Sequence, residues 1–166
     1  MQKGFVSLAD FPKEGMTIFG DIPLDVGVFP SDVVSGIEAV RLDLHIIKAE
    51  RTFHLSGQLG WKLDLACSRC LEPFAQQGSM DIRHMLQPAS QDPGPETFPY
   101  TGEMFDLNGF ARELIELNIP MKPLCAETCR GLCPSCGRNL NRETCSCVPR
   151  GTDPRWEALI KLKEGV

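Results

Sequence analysis

The chain has 166 residues, 42% of them hydrophobic, and a formal net charge of −5. That length suits about one domain, and that apolar content supports a real core and excludes wholesale disorder. No run approaches the roughly 18 apolar residues of a membrane helix.

The first twenty residues, MQKGFVSLADFPKEGMTIFG, do not read as a secretory leader, because Asp10 and Lys13 interrupt a short apolar patch. The expected compartment is the reducing cytoplasm, where disulfides rarely persist. Charge is unevenly spread: residues 1–119 carry nine Lys or Arg against seventeen Asp or Glu, whereas residues 120–166 carry eight against five. Such asymmetry accompanies an anionic partner for the basic part.

From about residue 37 the hydrophobic pattern has period two. VRLDLHII (40–47) places Val40, Leu42, Leu44 and Ile46 on one face, and FHLSGQLGWKLDLAC (53–67) continues through Leu55, Leu59, Trp61, Leu63 and Leu65. FAQQGSMDIRHML (74–86) is weaker but still strand-like. The alternation predicts antiparallel strands with one face on a core. Lys48–Arg51 reads as a hairpin turn, and Gly57 and Gly60 as a bulge or bend. QPASQDPGPETFPYTGE (87–103), with four prolines, reads as a linker that holds neither a helix nor a central strand.

DLNGFARELIELNIP (106–120) changes to a helical period, with Leu107, Phe110, Ala111, Leu114 and Ile115 as its apolar stripe, Asp106 as N-cap and Pro120 as the stop. Glu113 and Glu116 share this helix, but nothing places a substrate beside them, so they read as a solvated face. DPRWEALIKLKEG (153–165) reads as a terminal helix capped by Asp153 and stopped by Gly165, with Trp156, Leu159 and Ile160 docking it. The expected fold is α+β: an antiparallel β-sheet with a packed helix and a C-terminal zinc-knuckle module. One domain would span 1–166, made of a β-rich part (1–86), the linker (87–103) and a part (104–166) holding the helix, the cysteine cluster and the terminal helix.

Eight cysteines stand at 67, 70, 125, 129, 133, 136, 145 and 147. In Cys133-Pro-Ser-Cys136-Gly137, two intervening residues let one turn aim both sulfurs at one ion, and the glycine lets the backbone bend around them. Cys145 and Cys147 can complete a tetrahedron with Cys133 and Cys136, and so can Cys125 and Cys129. Spacing alone does not choose between the pairs. Cys67 and Cys70 can join the leftover thiols in a second site. Crowded thiols in a reducing compartment point to Zn²⁺. A four-thiolate shell is closed, so the zinc is read as structural, with no catalytic residues. Neither a phosphate-cradling GxxxxGK[ST] nor a nucleophile elbow G-x-S-x-G occurs. Cys67-Ser-Arg-Cys70 could also be a redox pair, but strands flank it where an attacking thiol usually has a helix N-terminus. His45, His54 and His84 lack ligand spacing.

Residues 121–150 hold Lys122, Arg130, Arg138, Arg142 and Arg150 against Glu127 and Glu143. Four thiolates on one Zn²⁺ subtract about two charges, so the field there is only mildly positive, and no aromatic stacking platform accompanies it.

ERTFHLSGQLGWKLDLACSRCLEPF, together with DLNGFARELIELNIPMKPLCAETCRGLCPSCGRNLNRETCSC and DPRWEALIKL, resembles the bacterial YceD family over roughly residues 37–163. The C-x-R-C-L and C-x-G-L-C-P-x-C-G-x-N-L-N segments carry the resemblance; residues 1–36 match loosely. It implies a non-enzymatic factor supporting 23S ribosomal RNA processing or stability in large-subunit assembly. Its partner would be the 23S precursor or an assembly intermediate, with no membrane and no small-molecule substrate. Some members lack the C-terminal cysteines, which implies a stabilising role for metal where they are kept. If RNA is touched, the expected contacts are Arg69, Arg130, Arg138 and Arg142. The competing classes are a zinc-stabilised adaptor for a protein partner, which the overall acidity favours, and a thiol oxidoreductase using Cys67 or Cys70.

Overall fold

A computed structural model of the chain describes residues 4–90, 94 and 97–148; the terminal helix expected at 153–165 lies outside them. Among the described residues, seven strands and one α-helix follow in the order β1 (Phe5–Ser7), β2 (Met16–Asp21), β3 (Val34–Ala49), β4 (Thr52–Ala66), β5 (Pro73–Pro88), β6 (Thr97–Tyr100), β7 (Met104–Asp106) and α1 (Leu107–Asn118). The main sheet runs β2-β3-β4-β5-β6, and β1 pairs with β7 in a separate two-stranded ribbon.

The period-two pattern places one face of the long strands on the core. Val40, Leu42, Leu44 and Ile46 of β3 are buried, as are Phe53, Leu55, Leu59, Trp61, Leu63 and Leu65 of β4. Leu42 pairs with Leu59 and Ile46 with Leu55, which keeps both sets on the same side. Helix α1 closes the face. Its buried residues are Leu107, Phe110, Ala111, Leu114 and Ile115, the stripe written in the sequence. The Asp106 carboxylate accepts from the Asn108 N–H, and the chain leaves the helix at Ile119 in an extended conformation, as the residue before Pro120 must. The Phe110 ring meets Phe98, Phe105 and His84 at centroid distances of 4.9, 5.5 and 6.1 Å, so His84 is a packing residue of the core face.

Three expectations need correction. The sheet is mixed, because β6 runs parallel to β5, Met85 opposite Thr97 and Pro88 opposite Tyr100. The segment read as a linker therefore contains a strand, and β5 itself reaches Pro88. Pro99 is tolerated there because β6 is an edge strand, where a missing N–H leaves no ladder partner stranded. The bulge is not at Gly57 or Gly60: register shifts fall at the start of β3, between Val34 and Gly36 and between Ile37 and Ala39. Gly57 serves a close approach, since a Cβ there would lie on the Asp43 carbonyl oxygen.

At about 3.3 Å per residue, β4 spans roughly 50 Å, well beyond the roughly 18 Å of the twelve-residue helix. The β4–β5 hairpin thus carries its tip, residues 67–72, past the helix. The chain leaving α1 returns to that tip, where the Ser68 N–H donates to the Pro123 carbonyl at 2.8 Å.

Candidate metal centres

Two groups of four cysteines converge among the described residues. Cys67, Cys70, Cys125 and Cys129 form one, and Cys133, Cys136, Cys145 and Cys147 the other; within each, all sulfurs lie within 4.8 Å of one another. Cys125 and Cys129 therefore stand beside Cys67 and Cys70, and not beside Cys133 and Cys136. The first group lies where the C-terminal segment meets the hairpin tip, with Cys67, Cys70 and Cys129 buried. In the second, only Cys133 is buried, and Cys136 and Cys147 are exposed.

Each group is built on the same turn. In the first, the Cys67 N–H donates to the Glu72 carbonyl at 3.0 Å and the Leu71 N–H to the Cys67 carbonyl at 2.8 Å. In the second, the Cys133 N–H donates to the Arg138 carbonyl at 2.8 Å and the Gly137 N–H to the Cys133 carbonyl at 2.9 Å. The residue after the second cysteine is left-handed in both, with φ of 61° at Leu71 and 73° at Gly137. Glycine makes the motif visible in Cys133-x-x-Cys136-Gly137, and leucine disguises it in Cys67-x-x-Cys70-Leu71. The pairing of Cys67 and Cys70 with Cys125 and Cys129 depends on the hairpin meeting a segment more than fifty residues away, which no local spacing reports.

Sulfurs held this close cannot all ionise without a cation among them. In the first group, burial pushes the Cys67 thiol up, but hydrogen bonds from the backbone of Cys125, Cys70 and Arg69 outweigh it and hold it at about 6, below the ordinary 9.0. Desolvation and the neighbouring thiols of Cys129, Cys67 and Cys70 push Cys125 up to about 12. Burial likewise raises Cys129, but the Asn141 amide and the Gly131 backbone bring it below its usual value. In the second group, backbone hydrogen bonds at Ser135 and Cys136 lower Cys133 to about 6, while the Cys136 side chain and desolvation raise Cys147 to about 12. A soft divalent cation would replace the shared protons and satisfy all four sulfurs together. The depressed thiol at Cys67 is also what an oxidoreductase would need, yet Cys67 is 0% exposed, and an attacking thiolate requires access.

The four arginines singled out in the sequence are placed differently. Arg69 is committed to the fold: its Nη1 donates to the carbonyls of Glu127 at 3.0 Å and Cys129 at 2.8 Å, clasping the loop that brings Cys125 and Cys129 to the hairpin. Arg142 pairs with Glu72 at 3.0 Å and Arg138 loosely with Glu143 at 3.9 Å, both with most of their side chains exposed. Arg130 is exposed. His45 sits on a strand with its Nδ1 3.0 Å from the Thr17 hydroxyl, away from either sulfur group. Sequence reasoning missed Asn139 and Asn141, whose amides bond the first group's surroundings. Among the described residues, no helix is long and apolar enough to cross a membrane.

The family described as large ribosomal RNA subunit accumulation protein YceD matches residues 55–163, a span that includes both cysteine groups. The chain is 24% identical over 163 residues to a protein of Zea mays, the large ribosomal RNA subunit accumulation protein YCED homolog 1, chloroplastic, covering 78% of this chain and 56% of that protein. The Arabidopsis thaliana protein of the same name is 33% identical over 67 residues, 40% of this chain and 21% of that protein. An uncharacterized protein of Mycobacterium tuberculosis is 25% identical over 129 residues, 73% of this chain and 60% of that protein. The chain thus spans less than two thirds of the length of these relatives. No solved structure matches.

Proposed function

Because the chain belongs to the YceD family of large ribosomal RNA subunit accumulation proteins, we propose that it is a non-enzymatic factor supporting 23S ribosomal RNA accumulation during large-subunit assembly. It acts by binding the RNA precursor or an assembly intermediate in the cytoplasm. The observation that carries this reading is the span of the family match, which takes in the hairpin tip, both cysteine groups and the exposed arginines beside them.

In this reading Zn²⁺ is structural at both groups. Cys67, Cys70, Cys125 and Cys129 tie the C-terminal segment to the sheet, and Cys133, Cys136, Cys145 and Cys147 fold a segment too small to have its own core. The exposed Arg130, Arg138 and Arg142 provide phosphate contacts, which position RNA without reading its sequence. Arg69 acts indirectly by holding the Glu127–Cys129 loop that precedes them. Ultraviolet crosslinking of the tagged protein in its own cells, followed by sequencing of attached RNA, tests the proposal. Crosslinks concentrated in 23S precursor are expected; none above a mock-tagged control would reject direct RNA contact.

One observation favours a second reading, an adaptor for a protein partner. Leu71, Leu117 and Met121 are large apolar side chains at 67%, 75% and 99% exposure, at the hairpin tip and at the end of α1. Salt separates the two readings, since binding to ribosomal RNA through phosphates weakens steeply as salt rises.

A further inference from the structure

We propose that the two tetra-cysteine groups load metal cooperatively, and that Asn141 is the positioning residue that couples them. This rests on the reading of both groups as metal sites. Asn141 lies between Cys136 and Cys145, inside the loop that a cation in the second group closes. Its side chain nevertheless faces the first group: Nδ2 donates to the Cys129 sulfur at 3.3 Å and to Asn139 Oδ1 at 2.9 Å, while its Oδ1 accepts from the Arg130 N–H at 2.7 Å. Those partners fix the amide's orientation, because the reversed amide would set donor against donor at Arg130 and acceptor against sulfur at Cys129.

The same loop holds the first group at a second point. Glu72, whose carbonyl closes the Cys67 turn, receives Arg142 Nη2 at 3.0 Å and Asn139 Nδ2 at 3.4 Å through its carboxylate. The first group returns support through backbone: the Leu132 N–H, just before Cys133, donates to the Arg69 carbonyl at 3.0 Å. A cation drawing Cys145 and Cys147 to Cys133 and Cys136 therefore orders the loop that presents a hydrogen-bond donor to Cys129. An N–H donor beside a thiolate spreads its negative charge and fixes its position, which is how supporting residues tune metal affinity. Coupling of binding is reciprocal, so a cation in the first group favours loading of the second by the same factor.

Native mass spectrometry of the reduced, metal-stripped full chain given one equivalent of Co²⁺ tests this. The expected spectrum holds chains with no ion and chains with two, with few singly loaded. In Asn141→Asp, which keeps the acceptor for Arg130 but loses the donor to Cys129, two ions should still bind at saturation, while singly loaded chains rise to roughly half or more at one equivalent. Asn141→Ala provides a second variant. Replacing Cys145 and Cys147 by serine should weaken the remaining site about tenfold or more relative to the intact chain. Two ions with singly loaded chains abundant in the unaltered protein would overturn the coupling and leave the metal reading intact. All-or-none loading that persists in both Asn141 variants would overturn the role of Asn141. No bound cobalt at saturation would overturn the metal reading itself.

Discussion

Leu71 and Gly137 occupy the same place in two matching turns, and only one of them suits it. A left-handed conformation costs a side chain bearing a Cβ roughly 1–2 kcal/mol, and glycine escapes that cost. Leu71 is largely exposed, so little packing is lost on its removal. Leu71→Gly should therefore raise stability by about 1 kcal/mol in urea unfolding, once glycine's greater unfolded-state entropy is subtracted. Gly137→Leu should lower it by roughly 1–2 kcal/mol. The thiols add a pH dependence to the metal-free chain. Cys67 and Cys133, held at about 6 against 9.0, contribute stability that is complete above about 9 and lost as pH falls through 6. Cys125 and Cys147, raised to about 12, contribute in the opposite sense, complete below about 9 and lost as pH rises through 12. With chelator and reductant present, the thiol contribution should climb from pH 6 to pH 9, and Cys67→Ser should flatten that climb. An unchanged slope in the variant would contradict the assignment.

The elements show why some of the fold was legible and some was not. Helix α1 could be read because cap, stripe and stop agree within one short segment. Phe110→Ala removes the ring at the centre of the Phe98, Phe105 and His84 contacts and should cost about 3–5 kcal/mol. Asp106→Ala should cost about 1 kcal/mol through the lost cap. Strands β3 and β4 were legible from alternation, since each buries one face. Strand β6 was not, because four prolines within 87–103 speak against strand and only its edge position tolerates Pro99. The cysteine grouping was half legible. Cys133 and Cys136 announce a turn locally, whereas Cys67 and Cys70 meet Cys125 and Cys129 only because the long hairpin and the outgoing chain of α1 arrive at one place.

At the scale of the whole molecule, the apolar core and the first sulfur group are distinct buried clusters that meet at the partly buried Phe74. The large buried cluster joins β3, β4, β5 and α1, while Cys67, Cys70 and Cys129 form their own small cluster with Phe74, Leu124 and Leu132 at its edge. Metal removal should accordingly leave the sheet standing. Hydrogen exchange after chelation should weaken protection at 67–72 and 123–148, which keep their folded arrangement at lower local stability, while β3 and β4 are unchanged; loss of protection throughout would show that the core depends on the metal. The most direct test of the account is the metal content of the reduced, purified chain, measured by inductively coupled plasma mass spectrometry. Two zinc ions per chain are predicted, falling to one when either Cys67 with Cys70 or Cys136 with Cys147 is replaced by serine. A chain that folds and carries no metal would contradict it.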